Sequence, residues 1–424
     1  MAAGRAADLA RFLQDNARWL VGGLVLCFAS SFGQTFFIAL FAEDLRLELG
    51  LSHGAWGSLY AAGTLASAAV FMALGKLADD VEPVRLVGYV FVGLALVAVA
   101  MANVTTAWML GLVVFGLRLG GQAMMTHVAV TITARWFLAT RGKALALVSM
   151  GHPLGEAVLP ALAVLAIATF GWRGAWWAVA ALLVLVLLPL SLTLLRRPRI
   201  PLGRPAAAGV AAASRGLGGR DWTRAEVVRH PLFWLLLPGF MVSPAFGTAL
   251  LFQGAHLVAV KGWPIEAYAL GFMAYAACSV VGSLLSGVLV DRVGAARLLP
   301  FYLVPLALSL ALAGTVDRAA VVFVYLGLLG FGTGFGFALV AALWAELYGT
   351  AHLGAIRAIA SGVGTFATAF GPGLTGLLLD QGVPIERQLV GLGGVTFLVC
   401  FAFALLAVHI RRLQRGLGPA PDRA

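Results

Sequence analysis

The sequence predicts an all-α membrane protein, with twelve transmembrane helices in two six-helix bundles related by a parallel repeat. Three observations predict it. The composition is too apolar for a soluble interior, the apolar residues fall into twelve runs of spanning length, and a set of glycine, aspartate, arginine and proline positions recurs at a nearly constant offset.

Of the 424 residues, 61% are hydrophobic and 11% charged, and the mean hydropathy is +0.96. A soluble fold of that composition would have to hide more apolar surface than its interior can hold. A helix crosses about 30 Å of hydrocarbon with roughly 20 predominantly apolar residues. Runs of that kind begin near Trp19, Ala55, Leu86, Ala107, Ala144, Gly174, Leu232, Ala267, Leu298, Ala319, Arg357 and Leu389. They are continuous rather than alternating, which argues against a β-barrel.

A net charge of +11 and a pI near 10.3 would point to nucleic acid in a soluble protein. The placement of the charges excludes that partner. Sorted by loop, 23 of the 29 Lys and Arg lie on the side of the N-terminus, five lie on the opposite side, and Arg118 alone lies inside a helix. This asymmetry puts both termini in the cytoplasm, in a cytoplasmic (inner) membrane with the lipid bilayer as solvent. Cys27, Cys278 and Cys400 fall inside apolar runs without metal-ligand spacing and read as packing residues, so neither a metal nor a cofactor is expected. Residues 1–18 carry charges of both signs and lead into a full-length span, the pattern of an uncleaved insertion signal.

Residues 1–195 are expected to form the N-terminal bundle, 196–230 a cytoplasmic linker, and 231–424 the C-terminal bundle with a cytoplasmic tail. The first helix, Trp19 to Ala42, carries Gln34 and Thr35 near its middle, and polar side chains at that depth need a partner or a cavity. The second ends in a charged hinge, Gly75 to Arg85. Only a few residues around Asn103 to Thr106 join the third and fourth, which are therefore antiparallel neighbours. A basic elbow, Ala134 to Lys143, leads into the fifth helix, and Gly171-Trp172-Arg173 joins the fifth to the sixth. The linker holds Pro198, Pro201, Pro205 and eight arginines but no long apolar run, with a short amphipathic helix expected near Trp222 to Val228. Pro238 and Pro244 are expected to break the seventh helix. Gly330, Gly332, Gly334 and Gly336 imitate a nucleotide loop, yet no strand precedes them and no Lys-Ser/Thr follows, so they read as close helix packing.

The second half then repeats the first. Phe32-Gly33 maps to Phe246-Gly247, Gly75 to Gly287, Asp79 to Asp291, Arg85 to Arg297, Ala134 to Ala345, Gly142 to Gly354, Gly151 to Gly362, Pro160 to Pro372 and Gly171 to Gly382, at offsets of 211 to 214 residues. Both halves start and end on the same side, so the repeat is parallel, as in the two halves of one transporter class.

The hinge Gly287-Val-Leu-Val-Asp291-Arg292-Val-Gly294-Ala-Ala-Arg297 resembles the signature loop of the major facilitator superfamily. The first copy keeps Gly75, Asp79 and Arg85 but has Asp80 and Glu82-Pro83 where a basic residue and a glycine are usual. Trp136-Phe137, Arg141-Gly142-Lys143, Gly171-Trp172-Arg173 and Ala345-Glu346-Leu347-Tyr348-Gly349 are similar to the monocarboxylate and oxalate/formate porter group. The acidic-glycine-aromatic signature of that group's first helix is absent, as is its buried arginine on the eighth. The superfamily resemblance implies a central cavity lined by helices one, four, seven and ten.

Arg118 is the one basic side chain deep in a helix, about 15 Å from Trp108 at 1.5 Å per residue. An arginine there costs about 2.5–3.5 kcal/mol on insertion scales, so it is expected to face water or an anion, or else to be buried against a carboxylate. Gln122, one turn on, shares its face. Glu156 is the nearest carboxylate candidate, with His152 four residues before it on the same face. Either Glu156 couples a proton to anion binding at Arg118, or Gly151 and Gly155 make a close helix crossing that His152 and Glu156 merely support. Gln34, Thr35, Gln253 and His256 complete the expected substrate-binding set. Glu346 and Arg357 are expected as a gate or structural pair at the membrane edge, beside the hinge residues Gly75, Asp79, Arg85, Gly287, Asp291, Arg292, Gly294 and Arg297.

No nucleophile elbow or metal spacing supports an enzyme. The reading is a secondary transporter of a small organic anion, a mono- or dicarboxylate, coupled to protons and working as a monomer by alternating access. The alternative is a proton-driven exporter of hydrophobic or toxic compounds, suggested by Phe- and Ala-rich cavity helices with few charges.

Overall fold

The computed structural model describes residues 2–74, 77, 81–138, 140–197 and 216–416, and among them every regular element is helical. Ten helices are long and apolar enough to cross a membrane, and the bent pair Ala10–Gly33 and Thr35–Leu49 raises the number to eleven. The 55-residue element Arg141–Leu195 turns at Gly171 and therefore holds both the fifth and the sixth span, which completes twelve. Gly171 has φ +69° and its repeat mate Gly382, after the eleventh helix Leu353–Asp380, has φ +80°. That left-handed conformation strains any residue with a Cβ, so both halves turn at the same point for the same reason.

The chain forms two compact units, Met1–Leu45 with Ala62–Gly209, and Arg46–Ala61 with Val210–Ala424. In the first, the fifth span crosses the first at close range. A Cβ at Gly151 would collide with the Leu24 carbonyl, and one at Gly155 with the Ser31 hydroxyl. Arg173 closes the end of the third helix, Pro83–Ala102, by donating to the carbonyls of Ala102 at 2.7 Å and Val104 at 2.8 Å. Arg18 donates to Leu194 at 2.6 Å and Trp19 to Arg197 at 2.8 Å, closing the sixth in the same way.

In the second unit, the eighth helix Ile265–Val293 and the tenth helix Val321–Tyr348 pack along their length. A Cβ at Gly330 would strike the Tyr275 carbonyl and one at Gly334 the Ser279 carbonyl, so the glycine run does serve helix packing. Arg46–Ala61 belongs here too. The Asp380 carboxylate accepts from the Ser52 hydroxyl at 2.6 Å and from the Gly54 N–H at 2.9 Å, which caps the second helix, His53–Leu74.

The seventh helix differs from expectation. It runs without interruption from Pro231 to Phe252 through Pro238 and Pro244, and breaks instead at Gln253 before resuming as Gly254–Val260. Neighbouring helices can re-satisfy the carbonyls a proline frees. At Gln253 the chain turns because Tyr268 intrudes: its hydroxyl donates to the Leu251 carbonyl at 3.1 Å and fills the space a side chain at Gly254 would need.

The described end of the linker is an ordered strap. Its helix is Arg224–Arg229, opened by a reciprocal cap between Thr223 and Glu226. The Asp221 carboxylate accepts from the N–H groups of Thr350 (2.9 Å) and Ala351 (3.1 Å), and the Trp222 N–H donates to Tyr348 at 2.9 Å.

Candidate functional site

The first helix unwinds at mid-length, through a tight 3₁₀ turn at Ser30–Gly33 followed by an extended Gln34. Gly33 and Gly121 make this possible. A Cβ on Gly33 would collide with the Leu117 carbonyl, and one on Gly121 would lie 2.6 Å from the Gly33 backbone. The fourth span, Ala107–Trp136, is π-helical from Arg118 to Met125 opposite the break. A widened turn of that kind often marks a functional position.

Arg118 is 1% exposed. Its Nη1 donates to the Gly33 carbonyl at 3.2 Å and to the Thr35 hydroxyl at 3.4 Å. The expected partners were water, an anion or a carboxylate. The guanidinium takes up a carbonyl that the break releases from the helical ladder, and this offsets part of its burial cost. From the other side comes the fifth span. His152 Nδ1 lies 3.1 Å from the Ser30 hydroxyl, which itself donates to the Cys27 carbonyl at 2.6 Å. Glu156, one turn further on, is half-buried and forms no ion pair with Arg118 among the described residues. Gln34 and Gln122 are half-buried at the same break, and Thr35 is buried. The sequence left open whether Arg118 and Glu156 meet, and Arg118 Nη1 bonds to the first helix.

The second unit contains a cavity of about 330 Å³. Its walls come from the seventh to eleventh helices, chiefly Phe240, Tyr275, Tyr302, Phe337 and Trp344, with hydroxyls from Ser243, Thr248 and Thr333. Among the described residues, Arg357 is the one charged residue on the wall. Gln253 and His256 do not line it. Gln253 is 4% exposed and donates to the Thr375 hydroxyl at 3.2 Å, and the His256 ring centroid lies 4.2 Å from that of His53. The sequence pointed to Phe-rich helices but singled out none of these rings, because an aromatic residue in an apolar run ordinarily reads as core packing. Only the fold makes them converge.

Glu346 and Arg357 are not paired among the described residues. The Glu346 carboxylate accepts from the N–H of Ala295 at 2.6 Å and of Ala296 at 3.3 Å, the first free donors of the ninth helix, Ala295–Thr315. It thereby ties the tenth helix to the hinge after the eighth, where Gly294 has φ +85° and Asp291, Arg292 and Arg297 are exposed. Gly287 faces open space. In the first hinge, Arg85 pairs with Glu82 at 3.0 Å, while Gly75 and Asp79 lie outside the described residues.

The family profile described as Major Facilitator Superfamily matches residues 23–273 and again 255–422. No curated protein matches the chain by sequence. Among solved structures, a bacterial homolog of the human lysosomal transporter Spinster, inward-facing and unoccupied, is 18% identical with a TM-score of 0.68, over 96% of this chain and 99% of its own. The nucleoside transporter NupG is 15% identical with a TM-score of 0.70, over 92% of this chain and 98% of its own. At these identities the likeness is one of fold.

Proposed function

Because the chain belongs to the Major Facilitator Superfamily, and so is a multi-pass membrane transporter rather than an enzyme, we propose that it moves a small organic anion together with protons, by alternating access. The observation that carries the reading is the cavity wall, whose one charge among the described residues is the cation of Arg357. Arg357 is exposed, so its guanidinium is available to an entering carboxylate for charge-assisted hydrogen bonds. Arg118 acts one step removed, holding the broken first helix through Gly33 and Thr35. Glu156, in the same unit, has no cationic partner among the described residues, which suits a group that loads and unloads a proton. The distribution of Lys and Arg orients the chain with both termini in the cytoplasm of a cell whose inner membrane it crosses. The chain's loop motifs also resemble those of the monocarboxylate and oxalate/formate porter group.

A second reading, export of hydrophobic compounds by proton antiport, draws on the aromatic and aliphatic remainder of the same wall. Proteoliposomes separate the two. Under an inward proton gradient, wild-type protein should accumulate a labelled monocarboxylate, Glu156→Gln should lose the pH drive, and Arg357→Gln should lose uptake. Full carboxylate uptake by Arg357→Gln would sink the anion reading. A deletion strain hypersensitive to toxic apolar compounds but unchanged in carboxylate uptake would favour the exporter.

A further inference from the structure

We infer that the cavity of the second unit is built for an aromatic monocarboxylate, its ring held among Phe240, Tyr275, Tyr302, Phe337 and Trp344 and its single carboxylate on Arg357. The inference rests on the organic-anion reading and narrows it. Three properties of the wall lead to it.

The first is charge. Arg357 is the one charged residue on the wall, and Asp, Glu, Asn and Gln are absent from it among the described residues. One cation neutralises one carboxylate. A second carboxylate would lie against aromatic rings with no second cation to replace its hydration. The same lack of amide and carboxylate side chains leaves few groups to read the edge of a nucleobase or the hydroxyls of a sugar.

The second is the state of the hydroxyls. The Thr333 hydroxyl donates to the Leu329 carbonyl of its own helix at 2.9 Å. Ser243 hydrogen-bonds the Tyr302 side chain. These two hydroxyls are already engaged, so fewer polar atoms of the wall are left to meet a ligand.

The third is shape. Phe240 stands 5.3 Å from Trp344 at 67° and 5.9 Å from Tyr302 at 57°, centroid to centroid. Rings inclined in this way present both faces and edges, and a flat ligand ring can meet them in offset and edge-on geometry at about 4.5–7 Å. The volume of about 330 Å³ sits at the small end of the roughly 300–1,000 Å³ typical of ligand sites. One or two fused rings fit it better than a long chain.

Four probes test the inference on the purified full-length protein, read by tryptophan fluorescence and by thermal shift. They are benzoate, terephthalate, lactate and benzamide. Benzoate should bind about ten-fold tighter than each of the others, a difference of about 1.4 kcal/mol. Arg357→Gln should abolish that preference over benzamide, and Phe337→Leu should weaken benzoate several-fold while leaving lactate unchanged. Lactate binding as tightly as benzoate, still dependent on Arg357, overturns the aromatic assignment and leaves the anion reading standing. Benzamide binding as tightly as benzoate, with Arg357→Gln silent, overturns both. Terephthalate binding more tightly than benzoate, or no response to benzoate at millimolar concentration, overturns the monocarboxylate assignment. The ligand series needs no variant, so its result is independent of whether a substitution folds.

Discussion

Arg118 Nη1 donates to the main-chain carbonyl of Gly33 from 3.2 Å, and this bond joins the π-helical turn of the fourth span to the break in the first. Two departures from regular helix therefore face each other and answer one another. The break releases a carbonyl that has no helical donor, and the widened turn brings a guanidinium to it.

Replacing Arg118 by Met sets two terms against each other. An unsatisfied buried carbonyl costs about 1–3 kcal/mol, while removing the charge from mid-membrane recovers about 2.5–3.5 kcal/mol on insertion scales. The terms are of similar size, so the melting temperature should move little. The break should loosen all the same, with faster amide exchange over residues 34–38, and transport should fall. Unchanged exchange there would mean that Arg118 does not hold the break.

The glycines of the tenth helix give a sharper contrast. Gly330→Ala and Gly334→Ala would drive a methyl group into the Tyr275 and Ser279 carbonyls, and overpacking of this kind costs about 1–3 kcal/mol each. Gly287→Ala meets open space within the eighth helix, where alanine gains up to about 1 kcal/mol over glycine. Thermal unfolding in detergent should show the first two lowered and the third unchanged or raised. A fall in all three would disprove the packing argument.

That contrast also marks what the sequence can and cannot express. The twelve spans and the repeat follow from composition and spacing, and the matched left-handed turns at Gly171 and Gly382 confirm the register. Gly330 and Gly334 were legible because a glycine four residues from another on an apolar helix has few other uses. Pairings were less legible. Glu346 was matched to Arg357 by charge and proximity along the chain, yet backbone donors of the ninth helix hold it. Two prolines drew attention from Gln253, where a tyrosine from the next helix decides the break. In each case the deciding partner lies on another helix and is of no special type.

The strap of the linker makes a local prediction. One oxygen of Asp221 accepts from both Thr350 and Ala351 in the turn between the tenth and eleventh helices. The bonds are solvent-exposed, so Asp221→Ala should leave global melting nearly unchanged as water takes over the donors. Exchange at the Thr350 and Ala351 amides should nonetheless rise at least several-fold, and Asp221→Asn, which keeps an oxygen, should recover most of the protection. Equal exchange in wild type and Asp221→Ala would show that the strap does not order the turn.

Docking of the strap should also depend on pH, in two separate steps. His230 lies beside Trp222 and within 3.3 Å of the Tyr348 hydroxyl, and burial, then the nearby Arg220, hold its pKa below the ordinary 6.5. The undocked strap therefore takes up a proton more readily than the docked one, so docking is strongest above pH 6.5 and weakens as the pH falls below it. Glu226 shifts the same way for a different reason. The Thr223 backbone N–H, followed by Arg220 and the Thr223 hydroxyl, lowers its carboxyl from 4.5 to about 2, so its contribution is complete above pH 4.5 and is lost as the pH drops toward 2. A fluorine-labelled Trp222 resonance, assigned by its absence in Trp222→Phe, should report both steps in titration. His230→Gln should remove the step that begins near pH 6.5 and leave the acidic one, and Glu226→Gln should do the reverse. A single step that survives both substitutions would assign the pH response to a group outside the strap.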